Sequence, residues 1–555
     1  MIARHNPEVR VTVVDRDESR IVAWKGRHLP IHEPGLIDVV RGARDGIMQR
    51  RRRHAQTDHA GTWLESCREP NLFFSTNCAQ MIAEADIIFL SVNTPTKRRG
   101  AGAGRATDMT AVEGAVKDIA LNARPGTIVV EKSTVPCKTG QLIKNILDAY
   151  RPGVVFPVLS NPEFLSEGTA VRDLMQPDRV IIGCESTISG HRAAAALANL
   201  YASWVPRSKI APINIWSSEL CKLAANAMLA QRISSINSIS AICERTGADI
   251  TEIAKSIGMD NRIGPQFLKA GLGFGGSCFR KDIASLTYLA ESLGLPEVAA
   301  YWQQVLTMND FQRNRFANQV ISSLNNTLRR KKIAILGYAF KKNTGDARES
   351  PALDVIRILL EEGPAEIAIF DPLCSREDIK RELGALDAVE AVQIYSSPYS
   401  ACASSSAILI LTDWDMFKTS APPAAPKRCA EVEMFNGVTP TSLLNLQQKP
   451  GSMRDLSSKP PTPPDTPLMS SISCHDTEEA PLPQPPCPEH CPQCMIDADG
   501  HEPTDLSSPI DWPLIANSVS ENWVFDGRGI LDSRIMSKMG FRVETLGTPS
   551  IYNEG

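Results

Sequence analysis

The sequence predicts an α/β protein built from two doubly wound parallel-sheet domains joined by a long central helix. Three observations carry this prediction. Short β-branched runs alternate with helix-length segments from residue 9 to residue 183. The same alternation starts afresh at "KKIAILGYAF", residues 331–340. Between them, residues 216–246 contain neither glycine nor proline and place Leu220, Leu223, Ala227, Ile233, Ile236 and Ile239 at helical spacing. Such a helix is long enough to act as a spine between domains.

The elements follow in order. "VRVTVVD" (9–15) is a strand ending in Asp15, and "ESRIVAW" continues as a helix. Further strands are expected within 85–96, 126–136, 153–164 and 178–183, with helices at 109–122 and 137–150. In the second set, strands fall within 331–363, 365–372 and 406–414. Residues 41–67 interrupt the first set with an arginine run and no clear period. Residues 421–515 interrupt the second with Pro- and Ser-rich sequence that cannot bury a core. The chain resumes as a strand and turn at 521–532. The expected domains are therefore 1–212, a helical dimerisation region at 213–325, and a third made of 326–420 with 516–555.

Composition narrows the function. A 555-residue chain is too long for one core, and 43% hydrophobic with 22% charged residues is ordinary for a globular protein. A net charge of -4 gives no electrostatic case for nucleic acid as a partner. No apolar run suits a secretory leader or a membrane span. The 14 cysteines are scattered through the chain, which points to reduced thiols and a cytoplasmic location.

Four stretches have the chemistry of a site. Asp15 ends its strand where an adenosine ribose would be bound, with Arg20 one helical turn on. "SVNTPT" and "EKSTVP" end strands in Asn93, Thr94, Ser133 and Thr134, positions where open parallel sheets bind nucleotides. Lys222 and Asn226 are four residues apart on one face of the spine. In "GLGFGGSCFRKD" (271–282), Cys278 follows glycines at 271, 273, 275 and 276 that allow close backbone approach to a ligand. Arg280 and Lys281 should favour its thiolate, and Asp282 shares its face if a helix begins there. Each has a plainer reading: a strand-end acid, loop caps, a lysine extending to water, a small buried thiol. Cys474, Cys487, Cys491 and Cys494 with His475 and His490 are zinc-ligand types, but their spacing and Pro-rich flanks argue against a metal. "RRRR" (50–53) reads as a solvated loop.

Taken together, "VTVVDRDESRI", "LPIHEPGL", "SVNTPTK", "EKSTVP", "SNPEFLSEGTA", "WSSELCKLAANAMLAQRISSINSIS", "FLKAGLGFGGSCFRKD", "KKIAILGYAFKKNTGDARES" and "FDGRGILD" resemble the nucleotide-sugar dehydrogenases of the UDP-glucose/GDP-mannose dehydrogenase family. The matching stretches run in the family's order through about 1–40, 68–420 and 521–548. The resemblance implies Rossmann-like domains and an NAD-linked oxidation of UDP-glucose to the acid, two hydride transfers at one carbon. Cys278 would capture the intermediate aldehyde. Lys222 and Asn226 would stabilise the oxyanion, Asp282 would organise Lys222 and water, and Glu163 with Thr134 would assist hydrolysis. Cofactor contacts map to Asp15, Arg20, Val92, Asn93, Thr94, Pro95, Thr96, Ser133, Thr134, Val135, Glu167, Lys281 and Arg348. Substrate contacts map to Glu163, Phe164, Leu165, Ser166, Glu167, Lys222, Asn226, Lys269, Ala270, Gly271, Leu272, Gly273, Phe340, Lys341 and Arg528. Arg262 would reach a neighbouring subunit, so a homo-oligomer built from dimers, up to a hexamer, is implied. The family's opening strand and Gly-x-Gly-x-x-Gly turn do not precede Val9. Without them the first sheet would lack its central strand and NAD binding would be weakened.

Overall fold

The computed structural model describes residues 1–53, 62–384, 386, 389–419, 477–481 and 508–549. The chain divides into two units, Met1–Gln49 with Ser66–Thr419 and Glu479–Gly555, and Arg50–Glu65 with Ser420–Glu478. Every candidate site residue belongs to the larger unit. The cysteine and histidine group at 474–494 lies outside the described residues.

The first set of strands forms two sheets. β1 (Val11–Val14) and β2 (Leu72–Ser75) pair in parallel. β3 (Ile87–Leu90), β4 (Ile128–Glu131), β5 (Val158–Ser160), β6 (Val180–Cys184) and β7 (Ile210–Asn214) follow one another in a five-stranded sheet. Its pairings are parallel except β5 with β6, which meet antiparallel at Ser160 and Gly183. Among the described residues, β1 and β3 share no ladder. The strands are short and apolar because both faces are covered. Val129 packs with Val112, Val116 and Ile143 on one face, while Val130 packs with Leu159, Ile182 and Leu197 on the other.

The spine helix, Ile215–Thr246, starts where the Asn214 side chain accepts from the backbone N–H of Trp216 and Ser217, and it stops at left-handed Gly247. It lies close against β6. A Cβ at Gly183 would come within 2.5 Å of Ser218 Cβ and 2.9 Å of Ile215 Cα, so a glycine is needed there. Of the apolar stripe expected on the spine, Leu223, Ala227 and Ile236 are buried, but Leu220 is exposed. Two further helices, Phe279–Ser292 and Pro296–Ser323, pack on the spine.

The C-terminal sheet is wholly parallel. Its strands are β8 (Lys332–Leu336), β9 (Glu366–Phe370), β10 (Val392–Ile394), β11 (Ala407–Ile410), β12 (Trp523–Asp526) and β13 (Arg542–Thr545), in the order β10-β9-β8-β11-β12-β13. This is a doubly wound sheet. The chain leaves it after β11 and returns as β12.

Two expected boundaries need correction. Residues 510–515 were assigned to the Pro-rich insertion, yet Ile510, Trp512 and Ile515 are buried in the C-terminal core, and Trp512 Nε1 donates to Phe417 O at 3.1 Å. The prolines around them hid the point where apolar spacing resumes. Residues 41–44, read as part of the first interruption, complete the helix Leu36–Arg44. Arg44 is held there by Asp45 at 2.7 Å and by the Trp24 and Gly26 carbonyls. The arginine run itself belongs to a strand, Ile47–Arg53.

Candidate active site

Cys278 immediately precedes the helix Phe279–Ser292, and its carbonyl accepts the Asp282 N–H at 2.9 Å. The thiol is exposed and stands at the positive end of that helix's dipole. Asp282, one turn on, is 1% exposed and accepts from Asn226 Nδ2 at 2.6 Å. That bond ties the cysteine helix to the spine. Lys222, one turn before Asn226, is also buried. Burial holds its ammonium below the usual lysine range, and Asp282, Cys278 and Glu163 oppose that shift. The lysine is therefore within electrostatic reach of all three, and 5.4 Å from the Phe164 ring centroid.

The basic residues after the cysteine do not stand free beside it. Arg280 pairs with Asp310 and with Glu349 at 3.5 Å. Lys281 Nζ lies 3.1 Å from Asp282 Oδ1 and donates to Thr94 Oγ1 at 3.4 Å. Their charges are matched by carboxylates, and the cations within electrostatic reach of the thiol are Lys222, Lys341 and Arg348. The glycines also differ from expectation. A Cβ at Gly276 would meet the Phe340 ring at 2.9 Å, and one at Gly275 would meet Glu349 O and Pro351 Cδ at 2.5 Å. They let the cysteine loop pack against the C-terminal domain's own chain.

Glu163 follows β5 and is paired with Lys132 at 2.8 Å. Lys132, absent from the expected site, also donates to Asn161 and to Tyr201 OH. Burial alone would lower its affinity for a proton, but Tyr201 and Glu163 raise it overall. The signal was present in "EKSTVP", where a lysine ends a buried strand. Lys132→Met should remove the ion pair to Glu163 and lower kcat about tenfold. An unchanged kcat would show that Lys132 does not govern Glu163.

The segment after Glu163 reaches the C-terminal domain. Ser166 accepts from Lys341 Nζ at 2.7 Å, and Glu167 lies 3.5 Å from Thr344 Oγ1. Burial raises the Glu167 carboxyl above its ordinary range, Asp346 adds to this, and Lys341 and Arg348 oppose it. Arg348 itself pairs with Asp346 at 2.7 Å. Glu33, also missed, fixes this segment by accepting from Gly168 N and Ala170 N. Nearby, Lys269, Ala270, Gly271, Gly273 and Arg528 line a pocket of about 110 Å³ together with Ile233 and Asp413. Arg528 is anchored by the Leu411 carbonyl at 2.6 Å and the Phe340 carbonyl at 3.2 Å. Burial lowers the proton affinity of both Lys269 and Arg528, with Asp413 opposing.

Two expected contacts are placed elsewhere. Leu272 is buried in the C-terminal core and Val135 in the core beneath β3 and β4, so neither side chain can touch a ligand. Each apolar chain is drawn into a core while its backbone stays in the loop. Arg262 is exposed and paired with Asp260 at 2.6 Å.

The donor set suits a dinucleotide. Asp15 accepts from Arg20 at 3.3 Å at the end of β1. The loops after β3 and β4 are tied together, with Ser133 Oγ accepting from Val92 N at 2.9 Å and Thr94 Oγ1 donating to Thr134 O at 2.8 Å. Asn93, Pro95 and Thr96 lie in the first of these loops, and Lys281 joins it to the cysteine helix. Hydroxyls and amides at the carboxyl ends of parallel strands fit NAD.

Comparison with known proteins agrees. Residues 60–205, 216–311 and 334–436 match the NAD binding, central and UDP binding domains of the UDP-glucose/GDP-mannose dehydrogenase family. The chain is 53% identical over 425 residues to the UDP-glucose 6-dehydrogenase of Pongo abelii, covering 75% of this chain and 81% of that one. It is 51% identical over 419 residues to that of Drosophila melanogaster, covering 74% and 83%. A UDP-glucose dehydrogenase structure from Pyrobaculum islandicum aligns with a TM-score of 0.62 at 30% identity, covering 74% of this chain and 86% of that one. With all three domains matched in order, the chain belongs to the UDP-glucose/GDP-mannose dehydrogenase family and is an NAD-dependent enzyme.

Proposed function

We propose that this enzyme oxidises the primary alcohol of UDP-glucose to the carboxylate, with Cys278 as the covalent nucleophile. The observation that carries this reading is the convergence of Cys278, Lys222, Asn226, Asp282 and Glu163 from three separate stretches of chain. Bound NAD supplies the hydride acceptor, one molecule for each of the two oxidations. The residues supply the rest. Lys222 and Asn226 stabilise negative charge on the sugar oxygen as the alcohol passes its proton to a water ordered by Asp282, while its hydride leaves to the bound NAD. The Cys278 sulfur adds to the aldehyde carbon, and the new oxyanion of the thiohemiacetal faces the Lys222 ammonium. Loss of the second hydride leaves a thioester on Cys278. Water, with a proton removed by Glu163 and its position set by the Thr134 region, attacks that carbon, and the C–S bond breaks to release acid and thiol.

The sugar nucleotide lies between Phe164–Glu167 and the pocket of Lys269, Gly271, Gly273 and Arg528, flanked by Phe340 and Lys341. Two cations, Lys269 and Arg528, lining one pocket suit a diphosphate. Asp15, Arg20, Glu167 and Arg348 contribute to the cofactor side. Arg262 extends to a neighbouring subunit in a dimer-based oligomer, and the enzyme works in the cytoplasm. Purified protein given UDP-glucose and NAD should form two NADH per sugar, followed at the nicotinamide absorbance. Turnover on a different nucleotide sugar alone would overturn the substrate.

The division of the first strands into two sheets favours a second reading, an impaired subunit partner with weak cofactor affinity. A folded oligomer without turnover would select it.

A further inference from the structure

Two buried carboxyls lie beneath the candidate site, and the mechanism above does not use them. Glu131 ends β4 and is 2% exposed; Glu219 lies on the spine, one turn before Lys222, and is equally buried. Glu219 Oε2 accepts from Lys138 N at 2.5 Å and its Oε1 accepts from Gly140 N at 2.6 Å. Both donors belong to the segment that begins with Thr134 and leads into the helix Thr139–Tyr150. Glu131 faces Glu219 within hydrogen-bonding reach. Among the described residues, no N–H or O–H reaches Glu131 Oε2. Two carboxylates cannot hydrogen-bond each other, and a buried acceptor without a donor is costly. Both difficulties vanish if Glu131 carries a proton and donates it.

We infer that Glu131 and Glu219 share one proton, and that this proton docks the Thr134 loop onto the spine helix. Both are positioning residues for the reaction proposed above, and the inference rests on that reading. The loop is tied at its other end to the cofactor side through Ser133 with Val92 and Thr94 with Thr134. The shared proton thus sets the distance between the Thr134 loop and the helix that carries Lys222. Burial, then the Glu219 charge, pushes the Glu131 carboxyl well above its ordinary range. Glu219 is raised by burial but held down by the backbone donors and by Glu131, so the charge resides there. The ladder neighbours of Glu131, Leu90 and Ser160, are not titratable. Cys137 lies within electrostatic range of both carboxyls, burial and Glu219 raise its thiol, and Lys138 opposes them.

When pH rises far enough, Glu131 loses its proton to solvent, two negative charges face each other, and the loop is released. The sign for stability follows. Folded Glu131 keeps a proton that the unfolded chain has lost. Its contribution is complete below the ordinary carboxylate range and disappears as pH climbs through the raised folded value.

The test uses the full chain, with kcat and the amide protection factors of Lys138 and Gly140 followed from neutral to alkaline pH. In the wild type both should fall together, kcat by about tenfold or more. Glu131→Gln keeps a neutral N–H donor toward Glu219, so its alkaline loss of amide protection should vanish, while kcat still falls as the buried Lys222 ammonium gives up its proton. Glu131→Leu should lose kcat and protection at neutral pH already. A Glu131→Gln protection profile that superimposes on the wild type, or wild-type amides that stay protected at alkaline pH, would overturn the inference. Cys278→Ser should show wild-type protection at every pH, so a failure of the covalent reading is seen separately.

Discussion

Replacing Cys278 by serine is expected to cut acid formation by about 10³-fold or more while the first oxidation persists. An aldehyde cannot readily give up a second hydride until a nucleophile has added to its carbon. Sulfur does this at neutral pH, whereas a serine hydroxyl keeps its proton and adds poorly. No imidazole stands among the candidate residues to act as its base. The variant should therefore stall at the aldehyde, releasing it or holding it bound, and NADH should form at one equivalent per sugar or fewer. Serine has nearly the same volume, and Cys278 is exposed, so folding should be unaffected. Mass spectrometry of quenched wild-type enzyme should show the sugar nucleotide on the peptide containing Cys278. Acid production by the serine variant at the wild-type rate would end the covalent mechanism.

Lys222→Ala is expected to lower kcat by about 10²–10³-fold, near 3–4 kcal/mol of transition-state stabilisation, with a much smaller change in KM. The argument is electrostatic. Lys222 is buried with Asp282, Cys278 and Glu163 within reach of its charge, and burial leaves little water to screen a developing oxyanion. An ammonium aimed at charge that exists only along the reaction path affects kcat more than substrate affinity. Removing it also leaves Asp282 with one cation fewer nearby, though Lys281 and Asn226 still hold that carboxylate. Lys222→Arg should rescue poorly, because a guanidinium spreads its charge over a planar fork and cannot present the compact ammonium to one oxygen. If KM rose in proportion while kcat held, Lys222 would be a binding residue and the oxyanion role would fail.

Much of the fold was legible because it is written in local pattern. Buried parallel strands must be short and apolar, so "KKIAILG" and "SAILILT" could be read directly as β8 and β11. The spine could be read from the absence of glycine and proline over 31 residues. The return of the chain into the C-terminal core was misplaced, because three buried apolar residues are spread among prolines and polar residues there. The candidate site was legible as stretches: the cysteine, the lysine–asparagine pair and the strand-end hydroxyls each stand out in the sequence. Lys132 escaped because a lysine at a strand end is usually a solvated cation; its burial against Glu163 and Tyr201 depends on a helix 70 residues further along.

By itself the sequence determined the element types, the α/β class, the family and the identity of the chemically able residues, since these depend on composition and spacing over one or two turns. The tertiary structure alone decided which charges meet. It matched Arg280 and Lys281 with carboxylates, brought Lys222, Lys341 and Arg348 within reach of the thiol, sent Leu272 and Val135 into cores, and set Glu131 against Glu219. Coulombic and hydrogen-bond energies depend on distance and burial, and those are fixed only when segments far apart in the chain pack together.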